Sequence, residues 1–229
     1  MSTLSTLRGV ILDLDGTLID TLGDFEVALH RCLVDMGAQP QKADRTFISL
    51  TVGKGSEYLV RQTLAHVGLD ADDASVYEHA YARYQHHYGQ INGQYSEVFP
   101  GVAEGLKMLS ERQLPLACLT NKPGPYARAL LRHVGLDHHF QRILGGDEFA
   151  RKKPDPLPLL QTCAAIGLPT QDVLMVGDSS NDAQAGHAAG CPVALVSYGY
   201  NHGRPIHEVP ALIYVDRLDE LAPHLPPLR

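Results

Sequence analysis

The 229-residue chain has few cysteines, no basic run of five or more residues and no long apolar run. Cys32, Cys118, Cys163 and Cys191 stand far apart and form no CxxC pair, so neither a zinc cluster nor a disulfide framework is signalled. They read as small buried hydrophobes in a reducing compartment. No stretch approaches the roughly 18 apolar residues of a membrane span, and "MSTLSTLRGV" lacks a charged segment followed by a long apolar one. The expected location is the cytoplasm. Lys and Arg number 19 against 26 Asp and Glu, a formal net charge of -7. A general nucleic-acid binder needs clustered cations for the phosphate backbone and is excluded on that ground. A small anionic ligand needs only a few placed cations.

What is there is an ordinary globular composition, 44% hydrophobic and 20% charged. The length suits one main domain carrying a substantial insertion. Short apolar, β-branched runs recur: "GVILD" (9-13), "PLACLT" (115-120), "RILGG" (142-146), "VLMVGD" (173-178), "PVALVS" (192-197) and "LIYVD" (212-216). Helix-length segments separate most of them. That pattern predicts an α/β fold, a doubly wound and mostly parallel sheet covered on both faces.

Between about Leu18 and Phe99 the rhythm breaks, and no strand is expected there. Helical periodicity appears instead over 22-37, 55-68 and 73-89, each stretch closed by glycine. The expected division is a core of residues 1-18 and 97-229 with a helical insertion, 19-96. Leaving just after the first strand, the insertion would sit over that strand's carboxyl end as a lid. A helix opened by Pro100-Gly101 and ending near Gln113 returns to the core, and "LPPLR" (225-229) reads as a frayed tail.

In open α/β sheets, ligands bind outside the carboxyl ends of the strands. The first strand ends in Asp13-Leu14-Asp15-Gly16-Thr17, the second in Thr120-Asn121-Lys122 and the fourth in Gly177-Asp178-Ser179-Ser180-Asn181-Asp182. Arg151-Lys152-Lys153-Pro154 is expected to open the helix before the fourth strand. Asp13 and Asp15, two positions apart in an extended segment, point the same way and repel each other. A bound hard cation offsets that repulsion, and acidic oxygens without histidine or thiolate favour Mg2+ over zinc. Nearby hydroxyl, amide and lysine groups are the donors a phosphoryl group requires.

The ordered set DxDGT, Thr-Asn after a strand, Lys-Pro and GDSxxD resembles the haloacid dehalogenase superfamily of phosphohydrolases, over nearly the whole chain. Within it, "LTNKP", "KPDPLPLL", "VGDSSNDAQAGHAAGCP" and "YGYNHG" are most similar to bacterial phosphoglycolate phosphatases. The resemblance implies a Mg2+-dependent phosphomonoester hydrolase working through an aspartyl-phosphate. Asp13 would be the nucleophile and Asp15 the acid and base. Thr120, Asn121 and Lys153 would hold the phosphoryl group. Asp13, Asp178 and the backbone carbonyl of Asp15 would hold the metal, with Asp182 reaching it through water or orienting Lys153. In relatives a cap loop dips into the site. "TVGKG" (51-55), a turn between two helices, makes Lys54, with Arg61, the candidate for a substrate carboxylate.

The twelve histidines, including His86-His87 and His138-His139, show no partner spacing and are read as surface residues. The implied partner is a small phosphorylated metabolite, with no nucleic acid and no membrane, for a chain acting as monomer or homodimer. The implied reaction is 2-phosphoglycolate to glycolate and phosphate. A sugar-phosphate phosphatase, acting for example on N-acetylmuramate 6-phosphate, and a β-phosphoglucomutase-like phosphotransferase are the alternatives. Phosphonate and carbon-halogen hydrolases of the superfamily depart at the position Asp15 occupies.

Overall fold

The computed structural model describes residues 6–225, so residues 226–229 of the expected tail lie outside the described residues. Six strands form one parallel sheet: β1 (Gly9–Leu12), β4 (Leu116–Leu119), β5 (Arg142–Leu144), β6 (Val173–Gly177), β7 (Val193–Val196) and β8 (Ile213–Val215). Their order is β5-β4-β1-β6-β7-β8. All six lie within the apolar runs read from the sequence. The chain builds outward from β1 on one side, then crosses back to place β6 on the other. The crevice where strand order reverses is therefore at the carboxyl ends of β1, β4 and β6.

Side chains alternate across the sheet, as the pleat requires. Val10 and Leu12 of β1 join Leu106 of α5 (Val102–Glu111) and Leu130 of α6 (Gly124–His133) in one core. Ile11 faces the other way, into a second core with Leu159 of α7 (Leu157–Ala165) and Ala185 of α8 (Ser180–Ala189). Each fully buried Val, Leu or Ile contributes about 1.5–3 kcal/mol relative to exposure. The sheet thereby fixes where the residues at its strand ends must sit.

The segment between β1 and β4 carries a third apolar cluster, formed by α1 (Leu22–Asp35), α2 (Arg45–Thr51), α3 (Ser56–Val67) and α4 (Ala74–Ile91). Three of these helices match the periodic stretches; α2 was not expected. Seven residues are too few for a helical period, although the Asp44 carboxylate caps it by accepting from Phe47 N at 2.8 Å. A second correction concerns strands. Ile19–Asp20 (β2) pairs antiparallel with Glu97–Val98 (β3) where the helical segment leaves and returns. Two residues are too short to show an alternating pattern.

Next to this ribbon, the buried Asp24 carboxylate accepts from Gly93 N at 2.6 Å, Tyr95 N at 2.8 Å and the Ser96 hydroxyl. It ties the start of α1 to the returning chain. Among the described residues no helix is long and apolar enough to cross a membrane.

Candidate active site

Asp13 follows β1 directly, its N–H donating to Val176 O of β6 at 2.9 Å. Lys153 Nζ lies 2.9 Å from Asp13 Oδ1 and 2.7 Å from Asp182 Oδ1, and donates to Leu119 O at 2.9 Å. All three charged residues are buried. Burial opposes the Lys153 charge, yet Asp13 and Asp182 together hold its pKa above that of an ordinary lysine. Burial also pushes Asp13 up to about 7, with Lys153 pulling the other way and the Asp182 and Asp15 charges adding to the rise.

Asp178 follows β6. Its Oδ1 accepts from the Thr17 hydroxyl at 3.0 Å and its Oδ2 from Tyr200 N at 2.6 Å. Burial, then the Asp182 and Asp13 charges, raise its pKa well above the carboxylate range. Gly16 permits this approach: its φ is +87°, and a Cβ there would lie 2.2 Å from Asp178 Oδ2.

Oxygens of Asp13, Asp178 and Asp182 lie within 4.8 Å of one another. Three buried carboxylates against one lysine leave uncompensated negative charge, and every donor is a hard oxygen, so the residues present fit a hard divalent cation. Asp182 is the most committed of the three. Its Oδ2 accepts from Ser179 N at 3.2 Å, Ser179 Oγ at 2.7 Å and Asp178 N at 3.3 Å, the box that starts α8.

Asn121 straps the site together. Its amide nitrogen donates to Lys153 O at 2.8 Å and to Gly53 O at 2.9 Å, while its Oδ1 accepts from Lys153 N at 3.0 Å. Thr120 Oγ1 accepts from Lys122 N at 3.2 Å. Lys153 lies in the loop before α7, which starts only at Leu157, so the basic stretch does not open that helix as expected. Its neighbour Lys152 turns away and pairs with Glu57 of α3 at 2.6 Å.

Asp15 pairs with a different cation from Asp13, Lys122, whose Nζ lies 2.7 Å from its Oδ1. This ammonium also stands 4.5 Å from the Phe25 ring centroid and 5.0 Å from that of Tyr88. Both rings line a cavity that Asp13, Asp15, Gly55 and Ser56 also line. Neither Lys54 nor Arg61 lines it. Lys54 Nζ sits 5.0 Å over the Tyr58 ring; Arg61 stacks 3.7 Å over Tyr77 and donates to Ala71 O at 2.6 Å. The core motif residues are brought together, and the two expected cap cations are not among them.

A family model described as Haloacid dehalogenase-like hydrolase matches residues 10–196. The chain belongs to this hydrolase family. It is 41% identical to the phosphoglycolate phosphatase of Thiobacillus denitrificans, over 94% of each chain. It is 39% identical to that of Nitrosospira multiformis, over 89% of this chain and 88% of the relative. The solved structure of a predicted phosphoglycolate phosphatase from Haemophilus somnus 129PT superposes with a TM-score of 0.89 at 29% identity, covering 95% of this hydrolase and 97% of that chain.

Sequence reasoning assigned no role to five residues that the structure places at or near these contacts. Lys122 was legible only as a residue following Thr-Asn. Tyr84 and Tyr88, four apart on α4, were not singled out within the periodic stretch 73-89, and both belong to the third apolar cluster. Tyr200 lies in the quoted "YGYNHG", but no role was read for it. His87 was read as a surface residue; its Nε2 pairs with Asp35 Oδ2 at 2.6 Å, with its side chain 13% exposed. Its partner is 52 positions away in sequence, beyond any spacing rule.

Proposed function

We propose that this hydrolase is a Mg2+-dependent phosphomonoesterase acting through an aspartyl-phosphate, with 2-phosphoglycolate as its preferred substrate. The observation that carries the reading is the buried Asp13 carboxylate at the end of β1, faced by Lys153 at 2.9 Å. Relatives named phosphoglycolate phosphatase, at 41% and 39% identity, support that choice of substrate.

Asp13 attacks phosphorus and the bond to the leaving oxygen breaks. Asp15 gives its proton to the departing alkoxide. It then takes one from a water that attacks the phosphorus, releasing Asp13 and phosphate. Lys153, the Thr120 hydroxyl and the Asn121 backbone N–H hold the phosphoryl oxygens; the Asn121 amide is already committed to Gly53 and Lys153. Asp13, Asp178 and the Asp15 carbonyl would hold Mg2+, whose chemistry is to screen anion from anion and polarise the phosphoryl group. Asp182 orients Lys153 and starts α8.

In this reading residues 19–96 are a cap over a core of 1–18 and 97–229, and its closure keeps bulk water from the phosphoenzyme. The test is phosphate release with and without Mg2+ from 2-phosphoglycolate, N-acetylmuramate 6-phosphate, glucose 1-phosphate and p-nitrophenyl phosphate. The expected result is Mg2+-dependent release with the highest kcat/KM for phosphoglycolate. A sugar phosphate in first place would replace the substrate and keep the Asp13 chemistry. No release from any ester would overturn the reading.

A further inference from the structure

His202, in the loop after β7, has a φ of +51°, the left-handed region that a side chain enters at a cost glycine does not bear. Its half-buried ring lies against the turn between α2 and α3. Nδ1 is 3.2 Å from Leu50 O, and Nε2 is 3.3 Å from the Asn181 amide nitrogen. A Cβ on Gly53 would lie 3.5 Å from the ring. The same turn reaches the reacting groups, since Val52, Gly53 and Gly55 line the cavity with Asp13 and Asp15.

These contacts fix the proton count of the ring. Gly53 O and Leu50 O are carbonyls and only accept. Asn181 donates to Gly53 O at 3.2 Å, so its NH2 group is turned toward both Gly53 O and His202. Nε2 must then accept, and Nδ1 must carry the proton that goes to Leu50 O. Both nitrogens are satisfied only in the neutral ring. A second proton, on Nε2, sets two donors face to face, and turning the Asn181 amide over to meet it forfeits Gly53 O.

The surrounding charges act in the same sense. Burial, then the Lys54 charge of the turn, hold the His202 pKa below that of an ordinary histidine; Arg204 of its own loop adds to the fall, while Leu50 O and Asp182 of α8 oppose it. A ring freed from the turn would regain an ordinary pKa of about 6.5. Protons therefore bind the freed form better, so the contact is complete above about pH 6.5 and weakens as pH falls below it.

We propose that His202 is a positioning residue: as the neutral Nδ1–H tautomer it bridges Leu50 and Asn181 and holds the turn 51–55 over the reacting groups, and uptake of a second proton on Nε2 releases that turn. What the turn covers rests on the phosphatase reading; the contact itself does not.

The test is hydrogen exchange by mass spectrometry on peptides spanning residues 50–56, at pH 7.5 and 5.5 without Mg2+, each rate corrected for the intrinsic pH dependence of exchange. Protection in the parent should fall severalfold, with about tenfold the ceiling for one proton taken up one unit below an ordinary histidine pKa. His202→Gly, which relaxes the backbone, should exchange fast at both pH values. His202→Gln, which keeps a donor and an acceptor but takes up no proton, should restore protection at both. Parent protection equal at the two pH values would overturn the proposal. So would a fall that persists in His202→Gln, because it would belong to the raised carboxylates Asp13 and Asp178. With Mg2+ at pH 7.5, His202→Gly should raise KM for p-nitrophenyl phosphate severalfold and His202→Gln should restore it; an unchanged KM would overturn the positioning role. Phosphate release by none of the three proteins would instead overturn the phosphatase reading and leave the exchange result standing.

Discussion

Tyr200 donates its backbone N–H to Asp178 Oδ2 at 2.6 Å, joining the loop after β7 to the acidic cluster. The same residue's hydroxyl donates to Asp20 in β2 and accepts from Thr21 N at 3.1 Å, and Arg45 of α2 holds the other Asp20 oxygen at 2.9 Å. One residue thus spans from a proposed metal ligand to the ribbon where the helical segment leaves the sheet. Tyr200→Phe keeps the amide contact and removes the hinge contact. Hydrogen exchange measured by mass spectrometry should then speed up at Thr21 and its neighbours; exchange identical to the parent would refute the role.

Asp13→Asn should reduce phosphate release by at least ~10⁴-fold, the scale seen when a nucleophile is deleted. Because burial and like charges raise the Asp13 pKa to about 7, its ionised form is disfavoured in the folded protein. The amide removes that burden. Without Mg2+ at pH 8, the variant's melting temperature should be no lower than the parent's, and a large drop would count against the assignment.

The same raised carboxylates set the pH dependence of metal stabilisation. A carboxylate whose folded pKa lies above its unfolded value contributes stability below about pH 4 and loses it as pH rises through the folded value. For Asp13 that window runs from about 4 to about 7. A cation reverses the penalty, so the rise in melting temperature on adding Mg2+ should be larger at pH 8 than at pH 5.5. Calorimetry at the two pH values checks this, and equal shifts would contradict it.

Asp24→Ala removes a buried acceptor of three hydrogen bonds and leaves Gly93 N and Tyr95 N without it. The expected cost is about 3 kcal/mol, from charge-assisted bonds lost and donors stranded. Urea unfolding monitored by circular dichroism measures it; a change below 1 kcal/mol would show that water replaces the carboxylate.

The sheet was legible because each of its strands is a short apolar run with polar residues at its end, and burial on both faces leaves little else such a run can become. The site's acidic half was legible for the same reason, since Asp13, Asp15 and Asp178 mark strand ends. What escaped depends on contacts distant in sequence. Lys122 meets Asp15 across 107 positions and Tyr200 meets Asp20 across 180. Asn121 shows the other limit: its residue type announced a hydrogen-bonding role, but not that its amide would serve the backbone of residues 53 and 153. Lys54 illustrates the converse, a cation in the right loop with its side chain resting on Tyr58.

The Gly53 carbonyl is reached by two asparagines that follow strands of the sheet, Asn121 at 2.9 Å and Asn181 at 3.2 Å. A backbone oxygen is common to all amino acids, so the side chains of this contact come wholly from the segments that follow β4 and β6. Substitutions along the inner face of the helices can then retune which molecule is accepted without dismantling the clasp. At this contact selectivity and docking are separable properties, and a mutational library in the helical segment that keeps Glu57, the partner of Lys152, can explore the first while the second is held constant.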